Sequence, residues 1–466
     1  MLIINADVFA LPPSKPYRAD IRITNGHISA IGDLHSVPNE AVFDAHGGVV
    51  LPGLHDHHVH LMSFAASLES VACGPPNVTS ALELRDALKH HQAGSGWLRG
   101  YGYHESVAGK INSEWLDDLL PNRPLRIQHR SGRLWMLNTA AVQWLQANGA
   151  QPGQIPADGR WFDQDTVLGN LIGNIMPPIS RASLMLAAYG VTGVTDMTPT
   201  NTNDTFQLLA DMSLTGDLLQ SVTLAGTREL NYPLVLHGLS TGATKVHLHE
   251  SDLPTFSDLS AWIIASHEKH RLVAIHCVTE AELVFALAAF RESGVRPGDR
   301  IEHASVTPPL LIDQLCELGL MVVTQPNFIP ERGDAYLEEI PADEHANLYR
   351  VASFLKAGIS IAGGTDMPFG NADPWLAMQA AVMRVTSSGQ CLGAHECVSP
   401  EEAIALFLGS ADQPEMPRQV TEGAIADLCI LNEPWHQART HLSSQLVAAT
   451  LRRGELIFNR IDQAPR

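Results

Sequence analysis

Cysteine, positive charge and long apolar runs are all scarce in this chain. Six cysteines stand among 466 residues, with Cys391 and Cys397 the closest pair and no Cys-x-x-Cys anywhere. That excludes a disulfide scaffold and makes reduced thiols in a cytoplasmic protein the economical reading. Thirty Lys and Arg face fifty Asp and Glu, a net charge of −20. Nucleic acid and anionic membrane surfaces, which demand clustered cations, are excluded as partners. No apolar run approaches about 18 residues, so no membrane-spanning helix is expected. The opening MLIINADVFALPPSKPYR lacks a cationic start and is broken by Pro12 and Pro13, so it does not read as a signal peptide. Charged residues make up only 17% against 45% hydrophobic, which excludes disorder and permits a large core.

What is present falls into two textures. The first fifty residues (LIINADVFAL, ADIRITNGHISAIGD, AVFDAHGGVVLPG) and the last fifty (IADLCILNEP, LVAATLRRGELIFNR) carry β-branched residues, short alternations and Asn-Gly, Gly-Gly or Arg-Gly turns. Neither end has strands enough to stand alone, so both are expected to share one small β-sandwich domain, 1–52 with 412–466. Between them, at 53–411, strands and helices alternate. Eight apolar runs each end in polar residues: GLHDHHVH (53–60), GVTGVTDM (190–197), LQSVTLAG (219–226), ATKVHLHE (243–250), LVAIHCVT (272–279), RIEHAS (300–305), MVVTQPN (321–327) and ISIAGGTD (359–366). Helical patterns such as EAELVFALAAFRESG and PPLLIDQLCELG, the second stopped by Gly319, separate the later ones. Eight such units close naturally into an α/β fold of the (β/α)8 TIM-like barrel type. The stretch from His60 to Gly190 is far too long for one crossover, so a long insertion at about 70–180 follows barrel strand one. It carries its own strands, at WLRGYGYHE and PLRIQHRSG, and a helix around Ser113–Leu120.

The chemistry gathers at strand ends. Residues two apart in a strand share a face, so His58 and His60 project together. His276 ends LVAIH, His303 ends RIEH and Asp366 ends IAGGTD. Any one of these alone reads as a hydrogen-bonded structural residue. Four His and an Asp at equivalent points of one barrel, on the side where barrel enzymes react, point to a metal site. The spacings agree: 27 residues from His276 to His303 is one β/α unit, and 63 from there to Asp366 is about two. Lys245 sits mid-strand, 31 residues before His276. A bare ammonium facing metal cations is repelled. It either becomes a carbamate, an anionic ligand bridging two metals, or points away. The scarcity of exposed faces on a barrel strand with apolar neighbours favours the carbamate.

The motifs PGLHDHHVHL, Lys245, His276, His303 and Asp366 resemble the metal-dependent amidohydrolase superfamily over nearly the whole chain. PNRPLRIQHRSGRLWMLNTAAV, RIEHAS, TQPNF and GTDMPFGNADPW resemble its amidohydrolase family 3 branch, which includes N-substituted formamide deformylase-like enzymes and N-acyl amine hydrolases. The resemblance implies a binuclear centre. His58, His60 and Asp366 would hold one divalent ion, His276 and His303 the other, and carboxylated Lys245 would bridge them. The donor set suits zinc, with manganese, iron and cobalt as alternatives. A metal-bridging hydroxide would attack a small-molecule carbonyl, Asp366 being the catalytic proton carrier, so that a C–N bond (amide, N-acyl or N-formyl) is hydrolysed. Two departures from the branch pattern, Arg133 where His is usual and His249-Glu250 where Asp-Gly is usual, leave that chemistry intact and bear on the substrate.

The remaining residues concern that substrate. Lys245, His247 and His249 share a strand face. His249, nearest the open end, is the expected substrate contact, and His247 is expected to be a hydrogen-bonded core histidine. Trp97, Tyr101, Tyr103, His104 and Trp135 in the insertion, with Phe328 and Phe369, would wall an apolar pocket, or pack the insertion. Arg133, more than Arg130, is suited to a substrate carboxylate, or to pairing with a surface acid. A lactone or carbamate hydrolase would use the same site. A heterocycle deaminase would lack the strand-four lysine. A non-catalytic scaffold on this fold would have lost ligands that are all present. Homo-oligomerisation is compatible with every one of these readings.

Overall fold

The computed structural model describes every residue except 76, 92–95, 174–176, 233–234 and 461–466; the last six residues expected in the terminal domain thus lie outside the described residues. The chain forms two compact units, one of Met1–His60 with Ser183–Arg466 and one of Leu61–Ala182.

In the first unit both ends of the chain build one eight-stranded sheet. Its order is Glu455–Asn459, Val447–Arg452, Leu428–Leu431, Val49–Pro52, Leu2–Val8, Tyr17–Thr24 and His27–Gly32, with Val42–Asp44 also paired to Leu2–Val8. The two ends join where Leu51 faces Cys429 in an antiparallel pair. Two tight turns serve this sheet, Asn25-Gly26 and Arg453-Gly454, each with both residues at positive φ, the conformation a two-residue hairpin requires. Ile3, Val8, Ile21, Val50, Ile430 and Leu451 fill the core beneath it.

The same unit contains the barrel. Its eight parallel strands are Leu54–Val59, Val191–Asp196, Ser221–Gly226, Leu239–His247, Val273–Cys277, Arg300–His303, Met321–Thr324 and Ile361–Gly363, neighbours in that order. The near-continuous burial of these strands follows from helices covering the outer face and side chains filling the inner one. The intervening helices start and stop where the sequence predicts. Thr279 and Glu282 form a capping box ahead of Glu280–Ser293, and Gly319, at φ 67°, ends Pro309–Leu318 in the left-handed conformation. The first and eighth strands meet at the seam through Asp366 N donating to His58 O (2.8 Å) and His60 N donating to Met367 O (2.9 Å). Gly364 permits that approach: a Cβ there would lie 2.8 Å from His58 N.

The second unit is a five-stranded sheet, ordered Arg160–Phe162, Leu134–Leu137, Leu125–His129, Leu98–Tyr103 and Val71–Ala72. Its core is its own: Leu84, Leu98, Tyr103, Leu125, Ile127 and Met136 on one side, Trp135, Leu145 and Trp161 on the other. The expected helix is present but short, Ser113–Asp117. No helix among the described residues is long and apolar enough to cross a membrane.

Candidate active site

The first barrel strand is buried along its whole length although it reads Leu-His-Asp-His-His-Val. Buried polar groups need partners, and most of these have them. Asp56 accepts from Thr365 N (3.0 Å), Thr365 Oγ1 (2.6 Å) and His58 N (3.3 Å), lacing strand one to the turn after strand eight. Burial pushes the Asp56 carboxyl up to about 7 despite those hydrogen bonds. His58 Nδ1 donates to Glu302 Oε2 (2.5 Å), His60 Nδ1 lies 3.0 Å from Thr198 Oγ1, and His303 Nδ1 donates to Gln325 Oε1 (2.7 Å).

These outer contacts decide what the inner atoms carry. An imidazole that donates through Nδ1 presents a bare lone pair at Nε2. Asp366 Oδ1 lies 3.5 Å from His58 Nε2 and 3.2 Å from His60 Nε2, buried and without a hydrogen bond. One ligand atom each from His58, His303 and Asp366 falls within 4.8 Å of the others. His303 and Asp366 both have left-handed backbone, φ 69° and 57°, which His and Asp tolerate better than most residues. Donor atoms drawn this close, with the Nδ1 of His58 and His303 already engaged, suit a divalent cation, and the imidazole and carboxylate donors fit zinc or a similar ion.

The electrostatics keep the donors in the state a cation needs. Burial, helped by the Lys245 ammonium, pushes His58 down to about 3, and burial pushes His303 to about 4. Burial alone would raise Asp366, but the His60 contact and the neighbouring imidazoles outweigh it and hold the carboxyl well below its ordinary range. Glu302 likewise resists burial and stays ionised through Arg300, Lys245 and His58.

Lys245 lies in the interior, 7% exposed, and its Nζ has no hydrogen-bond partner. Burial pushes its ammonium down to about 8 against the pull of Glu302. The next residue on that face corrects the sequence expectation. His247, expected in the core, is exposed, and its ring makes no hydrogen bond among the described residues. Strand four pairs it with His276 in parallel register, and their rings lie 4.1 Å apart. Strand four ends at His247, so the face predicted to sink into the barrel emerges at its mouth one alternation earlier. His249 follows, its ring 4.3 Å from His247. His276 in turn lies 4.4 Å from His303, and His303 4.8 Å from His58. His58, His303, His276, His247 and His249 thus run as one chain of imidazoles along the strand ends.

The aromatic residues expected at the substrate do something else. Tyr103 is fully buried in the insertion's core, its hydroxyl donating to Gly109 O (2.5 Å). Trp135 is buried with the Arg99 and Arg126 guanidinium groups over its ring and its Nε1 donating to Asp165. Trp97 packs against the same cluster. Phe328 is buried among Ile329, Leu348, Tyr349 and Leu392. A buried ring stabilises by removing its area from water; Tyr103, Trp135 and Phe328 have almost none left for a ligand, while Trp97 is half-buried against the cluster. The Arg133 fork is taken by Asp163, with Nε to Oδ1 at 2.7 Å and Nη2 to Oδ2 at 2.5 Å. Sequence reasoning missed Glu302, Arg300, Gln325 and Asp56. Period-two alternation in Arg300–His303 puts Arg300 and Glu302 on one face, the one available hint.

An eight-stranded barrel with His, His and Asp converging at its strand ends defines the class of metal-dependent barrel hydrolases. The profile of the amidohydrolase family matches residues 41–458, and the chain belongs to that family. It is a metal-dependent enzyme that hydrolyses C–N bonds. It is similar to N-substituted formamide deformylase of Arthrobacter pascens, at 24% identity over 87% of this chain and 88% of that one. The amidohydrolase YtcJ of Bacillus subtilis is 22% identical over 93% of this chain and 94% of its own. A metal-dependent hydrolase of Pyrococcus horikoshii has the same fold, with a TM-score of 0.75 at 21% identity, covering 95% of this chain and 99% of that one.

Proposed function

We propose that the chain hydrolyses N-acyl or N-formyl derivatives of small amines in the cytoplasm, at a centre of two divalent cations, zinc first among them. The observation that carries this reading is Lys245: a buried amine with no partner standing two residues before His247, whose ring touches His276. A buried amine left unpaired is costly, and addition of its neutral form to CO₂, with release of one N–H proton to solvent, would give a carbamate anion that two cations could satisfy. In this reading His58, His60 and Asp366 would hold one ion and His276 and His303 the other, with carboxylated Lys245 supplying an anionic donor to both. When bound, the ions polarise a carbonyl and lower the pKa of water towards 7. The protein does the rest. His58 and His303, oriented through Glu302 and Gln325, present neutral Nε2 atoms. Asp366, kept ionised by its neighbours, takes the proton of the attacking water and hands it to the departing nitrogen. His249 and His247, at the barrel mouth, contact the substrate. The name of the Arthrobacter relative supports formamides as the first class to try.

The test is a screen of N-formyl, N-acyl, lactone and carbamate compounds on zinc- or manganese-loaded protein, with metal content measured alongside. About two ions per chain and turnover of amides support the reading. Turnover confined to lactones or to ring amines, or a folded chain that retains no ion, overturns it.

A further inference from the structure

Behind the expected ligands lies a buried carboxylate that is not itself a ligand. Glu302 is fully buried on the sixth barrel strand. Its Oε2 accepts from His58 Nδ1 (2.5 Å) and its Oε1 accepts from Arg300 Nε (2.5 Å). Arg300 in turn donates through Nη2 to His57 O (3.0 Å), the carbonyl directly before His58. The sixth strand therefore grips His58 twice, at its ring through Glu302 and at its backbone through Arg300. Gln325 serves His303 with a neutral amide oxygen, whereas His58 has an ionised partner, and a charge-assisted contact is about twice as strong as a neutral one.

We infer that Glu302 is the positioning residue of the metal centre, fixing His58 in the Nδ1–H tautomer so that Nε2 faces Asp366, with Arg300 neutralising the Glu302 charge beside Lys245. The tautomer follows because a carboxylate without a proton can only accept, so the imidazole proton must sit on Nδ1. The second part answers a conflict in the site. A carboxylated Lys245 is an anion, and a bare Glu302 beside it would repel it. Arg300, held against Glu302, removes that repulsion and leaves the hydrogen bond to His58 in place. The inference rests on the metal-centre reading above and adds what sets the strength of the site. Carboxylates behind metal-bound histidines raise ligand basicity and lock the ring, and their loss weakens metal binding by about 10–100-fold.

The experiment is zinc titration of the full chain against a chromophoric chelator. Glu302→Gln keeps the size and an acceptor oxygen but removes the charge. It is expected to bind zinc about 10–100-fold more weakly and to alter the visible spectrum of the cobalt-substituted protein. The double change Glu302→Gln with Arg300→Met leaves no unpaired buried cation and is expected to show the same loss. Zinc affinity equal to the unaltered chain in either variant, with thermal unfolding unchanged, overturns the inference. Nitrogen NMR of the unaltered metal-free chain with labelled histidine tests it without any variant in Glu302: a His58 signal, assigned by its loss in His58→Asn, must show Nδ1 protonated, and an Nε2–H tautomer overturns the inference. Should the unaltered chain bind no zinc or other divalent ion at all, the metal-centre reading fails rather than the role of Glu302.

Discussion

A lysine with a buried Nζ that no hydrogen-bond acceptor meets is the most informative residue of the molecule, because an ammonium there leaves its N–H donors unsatisfied. Replacing Lys245 by Ala removes the anion that the carboxylated form would supply. Turnover should fall by at least about 100-fold, the scale on which removal of one charge-stabilising group acts. A short carboxylic acid added to the variant can enter the vacated space and return part of the rate. Steady-state kinetics with and without propionate check this, and a variant with undiminished rate would exclude a bridging carbamate. The residues that converge at the strand ends, His58, His276, His303 and Asp366, were legible in the sequence because each closes a run of β-branched and apolar residues, and a strand end is a place the sequence marks well. Glu302 was not, since its role depends on which strand faces His58. Tyr103, Trp135 and Phe328 were misread for a related reason. An aromatic side chain has the same letter whether it walls a pocket or fills a core, and burial decides which.

At the level of elements, the seam between the first and eighth barrel strands brings together three of the expected ligands, with His58 and His60 on one side and Asp366 on the other. Two features hold it, the Asp56–Thr365 hydrogen bonds and the bare Cα of Gly364, whose added Cβ would meet His58 Cβ at 2.5 Å and His58 N at 2.8 Å. His58 N is backbone and its Cβ is fixed by the backbone, so neither can swing aside. Gly364→Ala should therefore cost about 1–3 kcal/mol, the usual range for overpacking, and should weaken metal binding by spreading the seam. Urea unfolding and zinc titration on one preparation check both effects; full stability with full affinity would mean that the seam has slack. Alternation and turn chemistry made all eight barrel strands legible within a few residues. Strand four was the exception in detail, because it begins at Leu239 and ends at His247 where the apolar run suggested 243–250. That shift moved His247 from the core to the mouth. A run of alternating His and apolar residues gives no cue to where the strand leaves the barrel.

The whole molecule joins parts of the chain that are far apart. His58 and Asp366 are separated by most of the sequence and meet at the barrel seam, while the insertion from Leu61 to Ala182 folds around clusters of its own. Cations held by His58, His60 and Asp366 on one side and by His276 and His303 on the other would tie the first, fifth, sixth and eighth strands together, and a ligand that binds only the folded state stabilises it by about 4 kcal/mol at a thousand times its Kd. Chelation should therefore act unevenly. Hydrogen exchange should speed up across Leu54–Val59, Arg300–His303 and the turn after Ile361–Gly363. Leu98–Tyr103 and Leu125–His129, whose strands lie in the insertion's own sheet, should exchange at an unchanged rate. Mass-resolved exchange on the same protein before and after metal removal distinguishes the outcomes. Uniform loss of protection would mean that the insertion depends on the barrel for its fold, and no loss anywhere would mean that the donors converge without a cation to hold them.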